Sequence, residues 1–517
     1  MAGETLGAGA SDEARSATAI PSARIADALA RAGLLAATTG RLPDLVAGIT
    51  DDSRRVMAGA LFVAVQGALD DGHRYLDAAA HGGAALALVE RAEATTLPAL
   101  IVRDGRRAAA VAAAAFYGDP AASLTLVGVT GTNGKTTTVA MLRHLLDAPG
   151  ARAASVGTLG VLVGSAGTAL DGGGGLTTPG PVELQRVLRA LADSGVRTVA
   201  MEVSSHALEQ RRVEGVRFAA AVFTNFTRDH LDYHGTMDAY FAAKARLVGA
   251  IAPDGAAVVN ADDPAWMALP AAPRMVRWGV AADTASASAR ALDVAAVGAR
   301  ADGATTRFSL IAGGTTSTAC VPLVGDYNVA NALGAAAAAW TLGMAPDACA
   351  ERLASLPQVP GRLELLRTRP VVLRDYAHTP DSLARALAAV RPFARGRVLV
   401  VFGAGGDRDR GKRPEMARAA EAGADVVVLT SDNPRTEDPE RILDDVAAGL
   451  TRPYERIEDR RAAIERALAL AGPDDVVLLA GKGHETYQIR GTTSFPFDEA
   501  AIVRELSASR RGVGNDA

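Results

Sequence analysis

The segment at residues 127–138, Val-Gly-Val-Thr-Gly-Thr-Asn-Gly-Lys-Thr-Thr-Thr, constrains the fold more than any other part of the chain. It starts in an apolar, β-branched run at 124–129, typical of a buried strand, and leads into a helix-compatible segment at 137–146. A glycine-rich turn between strand and helix points backbone N–H groups and the positive helix end at an anion. Lys135 adds a point charge, and the Thr136 hydroxyl can bind Mg²⁺. We therefore predict an ATP site formed by Gly131, Thr132, Asn133, Gly134, Lys135, Thr136 and Thr137.

This segment departs from the strict phosphate-loop pattern at one position. The pattern has a glycine five residues before Gly134, where this chain has Val129. A glycine turn with an incidental lysine is the simpler alternative. We favour a variant phosphate loop because the strand, the glycines, the Lys-Thr pair and the helix occur together.

Chain length and the order of the predicted elements indicate an α/β protein of three domains. A single core rarely serves 517 residues, and about 150 residues per domain is typical. Strands alternate with helices, which is the pattern of parallel sheets. We predict a central phosphate-loop domain with a parallel sheet, flanked by an N-terminal α/β domain and a C-terminal Rossmann-like domain. The boundaries are a disordered leader at 1–20 and domains at 21–120, 121–357 and 358–517.

Composition excludes several classes of protein. A net charge of −4 gives no reason to expect a nucleic-acid partner. The two cysteines are too few for a disulfide framework and fit a reducing compartment, so we expect a cytoplasmic protein. No apolar run approaches the roughly 18 residues of a membrane span. The first twenty residues lack the basic start and apolar core of a signal peptide.

Several polar residues follow predicted strands or turns. Glu202 follows the strand at 196–201, and an acidic residue at a strand end near a phosphate loop is a common second anchor for Mg²⁺. A solvated glutamate is the alternative. The turn Asp52-Ser53-Arg54 could hold a polar ligand, but taken alone it is more simply a turn with satisfied hydrogen bonds.

The last third of the chain has a polar motif at the carboxyl end of each predicted strand. These motifs lie at 375–378, 403–412, 431–435 and 481–485. The carboxyl ends of parallel strands share one edge of a sheet, so the four motifs predict a substrate-binding face.

The stretches Thr-Asn-Phe-Thr-Arg-Asp-His-Leu-Asp at 224–232 and Tyr-Phe-Ala-Ala-Lys-Ala-Arg at 240–246, with the phosphate loop, resemble the Mur ligase superfamily. The resemblance extends over about residues 45–500. It implies an ATP-dependent, amide-forming ligase of cell-wall precursor synthesis. In that family the residues matching Glu202 and His230 bind Mg²⁺, and the lysine matching Lys244 is carbamylated to N6-carboxylysine. Without the resemblance, a plain helix-surface lysine would be the simpler interpretation of Lys244.

The same resemblance assigns further residues. It makes Lys135, Lys244, His230 and Glu202 catalytic, includes Thr136 with the metal ligands, and places Asn328, Asn331 and Arg362 at ATP. The N-terminal domain then binds a UDP-N-acetylmuramoyl dipeptide, the central domain ATP, and the C-terminal domain an amino acid. The dipeptide contacts implied are Ser53, Thr177, Thr178, Ser204, Gln210 and Arg212. The Asp-Asn-Pro-Arg motif marks the branch that uses meso-2,6-diaminopimelate, whose implied contacts are Arg408, Asp432, Asn433, Pro434, Arg435, Gly481 and Glu485.

The function that the resemblance implies is addition of meso-diaminopimelate to the D-glutamyl γ-carboxylate of UDP-N-acetylmuramoyl-L-alanyl-D-glutamate, through an acyl phosphate. We expect the protein to be a monomer. Two alternatives stay open at this point. A sister ligase would use another amino acid. A nucleotide-dependent switch would perform no ligation, although the chain has no Asn-Lys-x-Asp guanine motif.

Overall fold

We describe the chain from a computed structural model, and the structure describes residues 19–67, 70–173, 175–302 and 305–512. The leader predicted at 1–20 therefore lies outside the described residues up to position 18. Its last residue, Ile20, belongs to a short strand, Ile20–Pro21, that pairs with Leu45–Val46. Short 3-10 segments occupy Ser53–Arg55, Gly72–Tyr75, Ala92–Ala94, Pro120–Ser123, Arg246–Ala250, Pro264–Ala268 and Arg391–Phe393.

The N-terminal unit is a five-stranded sheet with helices. One edge strand is antiparallel to its neighbour, and the other pairs are parallel. The strands, in sheet order, are Leu35–Thr39, Ala99–Val102, Leu86–Val89, Ala60–Val63 and Gly48–Thr50. The helices are Ser22–Arg31, Leu76–His81 and Gly105–Tyr117.

The central unit contains an eleven-stranded sheet. Its middle is parallel, as predicted, and antiparallel strands extend both edges. The strands, in sheet order, are Thr168–Leu170, Gly160–Val163, Arg152–Gly157, Val196–Glu202, Thr125–Thr130, Phe218–Phe223, Ile251–Asn260, Met275–Ala281, Val294–Asp302, Thr305–Ala312 and Thr315–Val321. The helices are Lys135–Leu146, Pro181–Asp193, Ser205–Glu209, Leu231–His234, Met237–Ala245, Thr284–Ala289, Tyr327–Thr341 and Pro346–Leu353.

The C-terminal unit is a six-stranded sheet, parallel except for its first edge strand. Its strands, in sheet order, are Glu364–Thr368, Val371–Asp375, Val476–Ala480, Val398–Phe402, Val426–Leu429 and Glu455–Arg456. A hairpin, Tyr487–Arg490 with Thr493–Pro496, stands apart. The helices are Pro380–Val390, Lys412–Gly423, Pro439–Ala447, Arg460–Leu470 and Glu499–Gly512. The α/β class with a separate C-terminal sheet is therefore confirmed.

The phosphate loop follows a buried strand in the middle of the central sheet. The strand Thr125–Thr130 is the fifth of the eleven and has buried residues along nearly its whole length. The helix that follows the loop packs against the alanine-rich helix Tyr327–Thr341, which is buried over most of its surface. Small side chains let the two helices approach closely, and their contact fixes the loop from its helical side.

Hydrogen bonds join neighbouring units. Arg107 Nε donates to Glu214 Oε1 at 3.0 Å, which ties the N-terminal unit to the central one. Across the other junction, Arg362 Nη2 donates to the Thr136 hydroxyl at 2.9 Å. The C-terminal unit thus reaches the phosphate loop directly.

Candidate active site

The phosphate loop has the geometry of an anion cradle. The helix begins at Lys135, two residues earlier than predicted, because Gly134 caps it in a left-handed conformation with φ of 86°. A Cβ at Gly134 would also lie only 2.3 Å from Asn331 Oδ1, so no larger residue fits. The loop is held open by Thr224 Oγ1, which donates to the Asn133 carbonyl at 2.7 Å, and by Asn225 Oδ1, which accepts from Asn133 N at 2.9 Å.

Two lysines converge on one carbonyl oxygen of this loop. Lys135 Nζ donates to the carbonyl oxygens of Gly131 and Thr132, at 2.8 and 2.7 Å. Lys244 Nζ donates to the same Gly131 oxygen at 2.8 Å. Burial lowers the pKa of Lys135, and the nearby Glu202 carboxylate opposes that shift. Lys135 and Lys244 therefore share one acceptor on the loop.

Lys244 lies in an environment that disfavours a charged ammonium. It is only 1% exposed, although its Nζ lies 4.5 Å from the centre of the Tyr240 ring, a contact that favours a cation. Burial and the neighbouring Lys135 set the pKa of Lys244 well below its usual value, against the attraction of Asp229. The helix-surface alternative is therefore wrong, since Lys244 is a buried residue of the site.

Glu202 is the last residue of its strand, and its carboxylate is hydrogen-bonded to Thr158, which directly follows the adjacent strand Arg152–Gly157. Its Oε1 accepts from Thr158 N at 2.8 Å, and its Oε2 accepts from the Thr158 hydroxyl at 3.3 Å. Glu202 is 2% exposed. The Thr158 hydroxyl also lies 3.3 Å from Thr177 Oγ1, which joins this carboxylate to the predicted dipeptide contacts.

His230 belongs to a cluster of aromatic and imidazole rings beside the loop. Its ring centre lies 4.8 Å from that of His206, and its Nε2 lies 3.6 Å from Asp229 Oδ2. Burial lowers the pKa of His230, and the Asp229 carboxylate opposes that shift. Burial, aided by His230 and His234, lowers the pKa of His206 to about 4, so His206 is neutral near pH 7. His206 was not predicted, because only the fold brings it to His230.

The predicted metal ligands suit a hard cation that also binds substrate phosphates. Among the described residues, no three His, Cys, Asp or Glu side chains converge on a common metal position. Mg²⁺ often binds proteins through one or two carboxylates and takes its other ligands from substrate phosphates and water. Glu202 offers a buried carboxylate and Thr136 a hydroxyl at the loop, and these oxygen donors fit that mode of binding.

Asn331, rather than Asn328, faces the cavity beside the loop. Asn328 Nδ2 donates to the Val324 carbonyl at 2.7 Å, and its Oδ1 accepts from Asn331 Nδ2 at 3.0 Å. Asn331 lines the cavity and holds its Oδ1 next to Gly134. In this arrangement Asn328 orients Asn331 from behind.

A cavity of about 520 Å³ joins the central and C-terminal units at the phosphate loop. Several predicted residues line it, and Ser53 and Gln210 lie outside that lining. The predicted residues in its wall are Thr132, Asn133, Gly134, Lys135, Thr136, Thr137, Thr177, Thr178, Glu202, Ser204, Arg212, His230, Lys244 and Arg362.

The predicted dipeptide contacts form one connected network beside this cavity, apart from Ser53. Thr178 Oγ1 donates to the Glu202 carbonyl at 2.9 Å and accepts from Ser204 N at 3.0 Å. Arg212 Nη1 donates to the Thr178 carbonyl at 2.8 Å, and Arg212 Nη2 donates to Gln210 Oε1 at 2.7 Å. Ser53 lies at the start of a 3-10 segment in the N-terminal unit.

The predicted diaminopimelate residues form a second cluster, on the C-terminal unit. Asn433 Nδ2 donates to Glu485 Oε2 at 2.9 Å. A Cβ at Gly481 would lie 2.4 Å from Asp432 Oδ2, so the two strand ends are in direct contact. Burial raises the pKa of Glu485, aided by Asp432 and opposed by its hydrogen bond from Asn433. Pro434 is buried.

Arg435 and Arg408 flank one glycine at the edge of this cluster. A Cβ at Gly405 would lie 3.0 Å from Arg435 Nη1 and 3.8 Å from Arg408 Cγ. Arg435 has a left-handed backbone, with φ of 51°, and its Nη1 donates to the Gly406 carbonyl at 2.9 Å. Arg408 is exposed and Arg435 is half-buried. The second cluster therefore combines two carboxylates with two guanidinium groups, outside the lining of the 520 Å³ cavity.

Two further lysines occur at these sites, and we did not predict a role for them. Lys482 is fully buried inside the second cluster. Lys412 Nζ donates to the carbonyl of His378, a cavity residue, at 3.1 Å. The chain has 54 lysines and arginines, yet its lysines are only Lys135, Lys244, Lys412 and Lys482. This concentration of lysine at the two sites was a compositional signal that could have identified both residues.

Family models match residues 45–339 and 361–483 of the chain, in three parts. Residues 45–132 match the Mur ligase family catalytic domain, 129–339 the Mur ligase middle domain, and 361–483 the Mur ligase glutamate ligase domain. The three matches follow the order of the three sheets. They include the phosphate loop and the Asp-Asn-Pro-Arg motif.

Individual relatives match over nearly their full length. The chain is 43% identical to the UDP-N-acetylmuramoyl-L-alanyl-D-glutamate–2,6-diaminopimelate ligase of Gloeobacter violaceus, covering 96% of this chain and 100% of that protein. It is 45% identical to the protein of that name from Alkalilimnicola ehrlichii, over 89% and 95% of the two chains. A solved structure of a ligase of that name superposes with a TM-score of 0.63 at 33% identity, over 90% and 96% of the chains. MurF ligase from Thermotoga maritima, solved with ADP, shares the fold at a TM-score of 0.60 and 20% identity, over 91% and 98% of the chains. The chain therefore belongs to the Mur ligase family.

Proposed function

We propose that this protein joins meso-2,6-diaminopimelate to the D-glutamyl γ-carboxylate of UDP-N-acetylmuramoyl-L-alanyl-D-glutamate, with conversion of ATP to ADP and phosphate. The observation that carries the proposal is the 43% identity, over 96% of this chain, to a ligase of that name. The product is a precursor of peptidoglycan. The two residue clusters described above supply groups suited to both halves of this reaction.

The first half of the reaction activates a carboxylate, which is a poor acylating agent. A γ-carboxylate oxygen attacks the terminal phosphorus of ATP, the bond to ADP breaks, and an acyl phosphate forms. Lys135 would neutralise charge on the transferring group, from the position where its Nζ contacts two loop carbonyls. Arg362, already bonded to Thr136, would add a second cation from the C-terminal unit.

The second half forms the amide bond. The amine of the incoming amino acid attacks the acyl carbon, the bond to phosphate breaks, and the amine loses a proton. An acyl phosphate hydrolyses readily, so the reaction needs a site that excludes water. Contact between Arg362 and Thr136 closes the two units over the loop, and we propose that this closure protects the intermediate.

We further propose that Thr136, Glu202, His230 and a carbamylated Lys244 hold Mg²⁺. When bound, Mg²⁺ supplies positive charge that neutralises and orients phosphate oxygens. An ammonium at Lys244 would repel such a cation, whereas a carbamate offers two oxygen ligands. Its buried Nζ beside Lys135 supports the neutral amine that reacts with CO₂.

The assignment of units follows from the same proposal. Residues 21–120 would bind the UDP moiety, 121–357 ATP, and 358–517 the amino acid. Within the described residues no helix is both long and apolar enough to cross a bilayer. The free cysteines Cys320 and Cys349 support our expectation of a reducing, cytoplasmic setting. We expect a monomer, which sedimentation of the purified protein would test.

A phosphate-release assay tests the proposal directly. We expect release only when ATP, Mg²⁺, the UDP-muramoyl dipeptide and meso-diaminopimelate are all present. Release that depends on the dipeptide and a different amino acid would indicate a sister ligase. Release from ATP alone, unaffected by either substrate, would indicate a nucleotide-dependent switch and contradict the proposal.

A further inference from the structure

Lys482 occupies an unusual position for a lysine in this chain. It is one of only four lysines among 54 basic residues, and its side chain is fully buried. It lies in the loop that follows the strand Val476–Ala480, between the two predicted diaminopimelate contacts Gly481 and Glu485. Burying a lysine ammonium costs free energy unless the charge is paired or hydrogen-bonded. The groups that contact Lys482 therefore indicate its role.

The ammonium of Lys482 lies at the centre of the second cluster. Its Nζ donates to Asn433 Oδ1 at 3.0 Å and to the Tyr487 carbonyl at 2.8 Å. It also lies 3.8 Å from Asp432 Oδ1 and 3.7 Å from Glu485 Oε2. Lys482 therefore neutralises part of the charge of both carboxylates.

The same contacts fix the orientation of Asn433. Its Oδ1 accepts from Lys482 Nζ and from Ile489 N at 2.9 Å, so its amide nitrogen must face the other way. There it donates to Glu485 Oε2 at 2.9 Å. Lys482 thus sets both the geometry and the net charge of the group that would receive the far end of the amino acid.

Charge is the property that separates the two candidate amino acids. The far end of meso-diaminopimelate has one ammonium and one carboxylate and is neutral overall, whereas the far end of lysine has a charge of +1. Asp432 and Glu485 can hold the ammonium, and Arg435 can pair with the carboxylate. Without Lys482, Asp432 and Glu485 would lose the cation that lies 3.8 and 3.7 Å from them, and the cluster would gain one unit of negative charge. The added negative charge would repel the far carboxylate of diaminopimelate. It would also lower the cost of binding lysine, which leaves Arg435 without a carboxylate.

We propose that Lys482 is a specificity-determining residue: by offsetting the charge of Asp432 and Glu485, it adapts the amino-acid site to the neutral far end of diaminopimelate. This inference rests on the proposed function, because it names how that substrate is selected. Lys482 acts through the charge and orientation of its neighbours, so it is a positioning residue. Its effect falls on the choice between substrates.

The test compares kcat/KM for meso-diaminopimelate and for L-lysine in the full-length protein and in Lys482→Met, which keeps the length of the side chain. We expect the ratio of the two values to fall about tenfold or more. A purely structural role would lower both values together, since both substrates are measured on the same folded fraction. A ratio within about threefold of the wild-type value would overturn the inference.

Two further variants make the result independent of how well Lys482→Met folds. Glu485→Gln is isosteric and removes a negative charge, so we expect it to raise the ratio in favour of diaminopimelate. The double variant Lys482→Met/Glu485→Gln restores the net charge and should recover most of the wild-type ratio. If Glu485→Gln lowers the ratio, or the double variant follows Lys482→Met, charge matching is wrong.

Failure of the inference and failure of the proposed function give different results. A wild-type protein that prefers lysine, or uses neither amino acid, contradicts the proposed function and with it the inference. A wild-type protein that prefers diaminopimelate, with the same preference in Lys482→Met, contradicts the inference alone.

Discussion

A buried ion pair supports both loops of the proposed amino-acid site, and breaking it gives a quantitative prediction. Arg460 and Glu499 are both fully buried, with Arg460 Nη2 2.8 Å from Glu499 Oε1. Arg460 also donates to the carbonyls of Ala480 and Ser431, at 2.8 and 3.4 Å. Those residues immediately precede Gly481 and Asp432, so the pair fixes the spacing of the two loops.

The perturbation is Glu499→Gln, which keeps the shape and leaves the Arg460 charge without a carboxylate. Removing one member of a buried pair typically lowers stability by about 3 to 5 kcal/mol. Because glutamine still accepts a hydrogen bond from Arg460, we expect a loss of about 3 kcal/mol. The matched control is Glu455→Gln. Glu455 pairs with Arg466 at the same 2.8 Å, but the two side chains are 36% and 46% exposed. An exposed pair contributes at most about 1 kcal/mol.

Amide hydrogen exchange of the native, full-length protein measures this difference locally. We expect exchange in the strand Val476–Ala480 to accelerate about 100-fold in Glu499→Gln, which corresponds to about 3 kcal/mol. Glu455→Gln should accelerate it less than about tenfold. KM for diaminopimelate should rise in the first variant and stay near the wild-type value in the second. Equal exchange in the two variants would refute the role of burial in this pair.

Three further predictions follow from single side chains. Lys135→Ala should lower turnover roughly 10³-fold while circular dichroism stays unchanged, and near-normal turnover in a folded variant would refute its role at the phosphoryl group. Lys244→Ala should be nearly inactive and partly restored by high acetate, which replaces lost oxygen ligands, whereas an active Lys244→Arg would contradict the carbamate. A hydrogen bond from Arg413 lowers the pKa of Glu437 from 4.5 to about 2. Glu437 should therefore stabilise the fold above pH 4.5, and this contribution should be lost as pH falls towards 2, so an acid unfolding profile unchanged in Glu437→Gln would contradict it.

The features that the sequence predicts well are those set by local pattern. The apolar run before the phosphate loop predicts its strand, and the alternation of strands and helices predicts the α/β fold. Errors at the ends are small and have local causes. The strand predicted at 124–129 lies at 125–130, shifted by one residue, and the strand predicted at 196–201 ends one residue later, at Glu202. The helix begins at Lys135 because Gly134 adopts a left-handed conformation.

The features that the sequence does not predict depend on contacts between distant residues. The resemblance places Arg362 and Thr136 at ATP, but the hydrogen bond between them, across 226 positions of the chain, forms only where two units meet. The burial of Lys482 depends on Asn433, 49 positions earlier. Local periodicity does not predict such long-range contacts. The composition, by contrast, shows that lysine is scarce, and this could have drawn attention to Lys482.

The central claim is that this ligase selects meso-diaminopimelate, and the most direct measurement is kcat/KM for diaminopimelate and for lysine in wild type and in Arg435→Ala. Lysine would leave the half-buried Arg435 guanidinium without a carboxylate, and sites built around such a group reject analogues by about 10⁴-fold or more. We predict a preference of that order in the wild type and loss of most of it in Arg435→Ala. A wild-type protein that prefers lysine, or the same ratio in both proteins, would contradict the account.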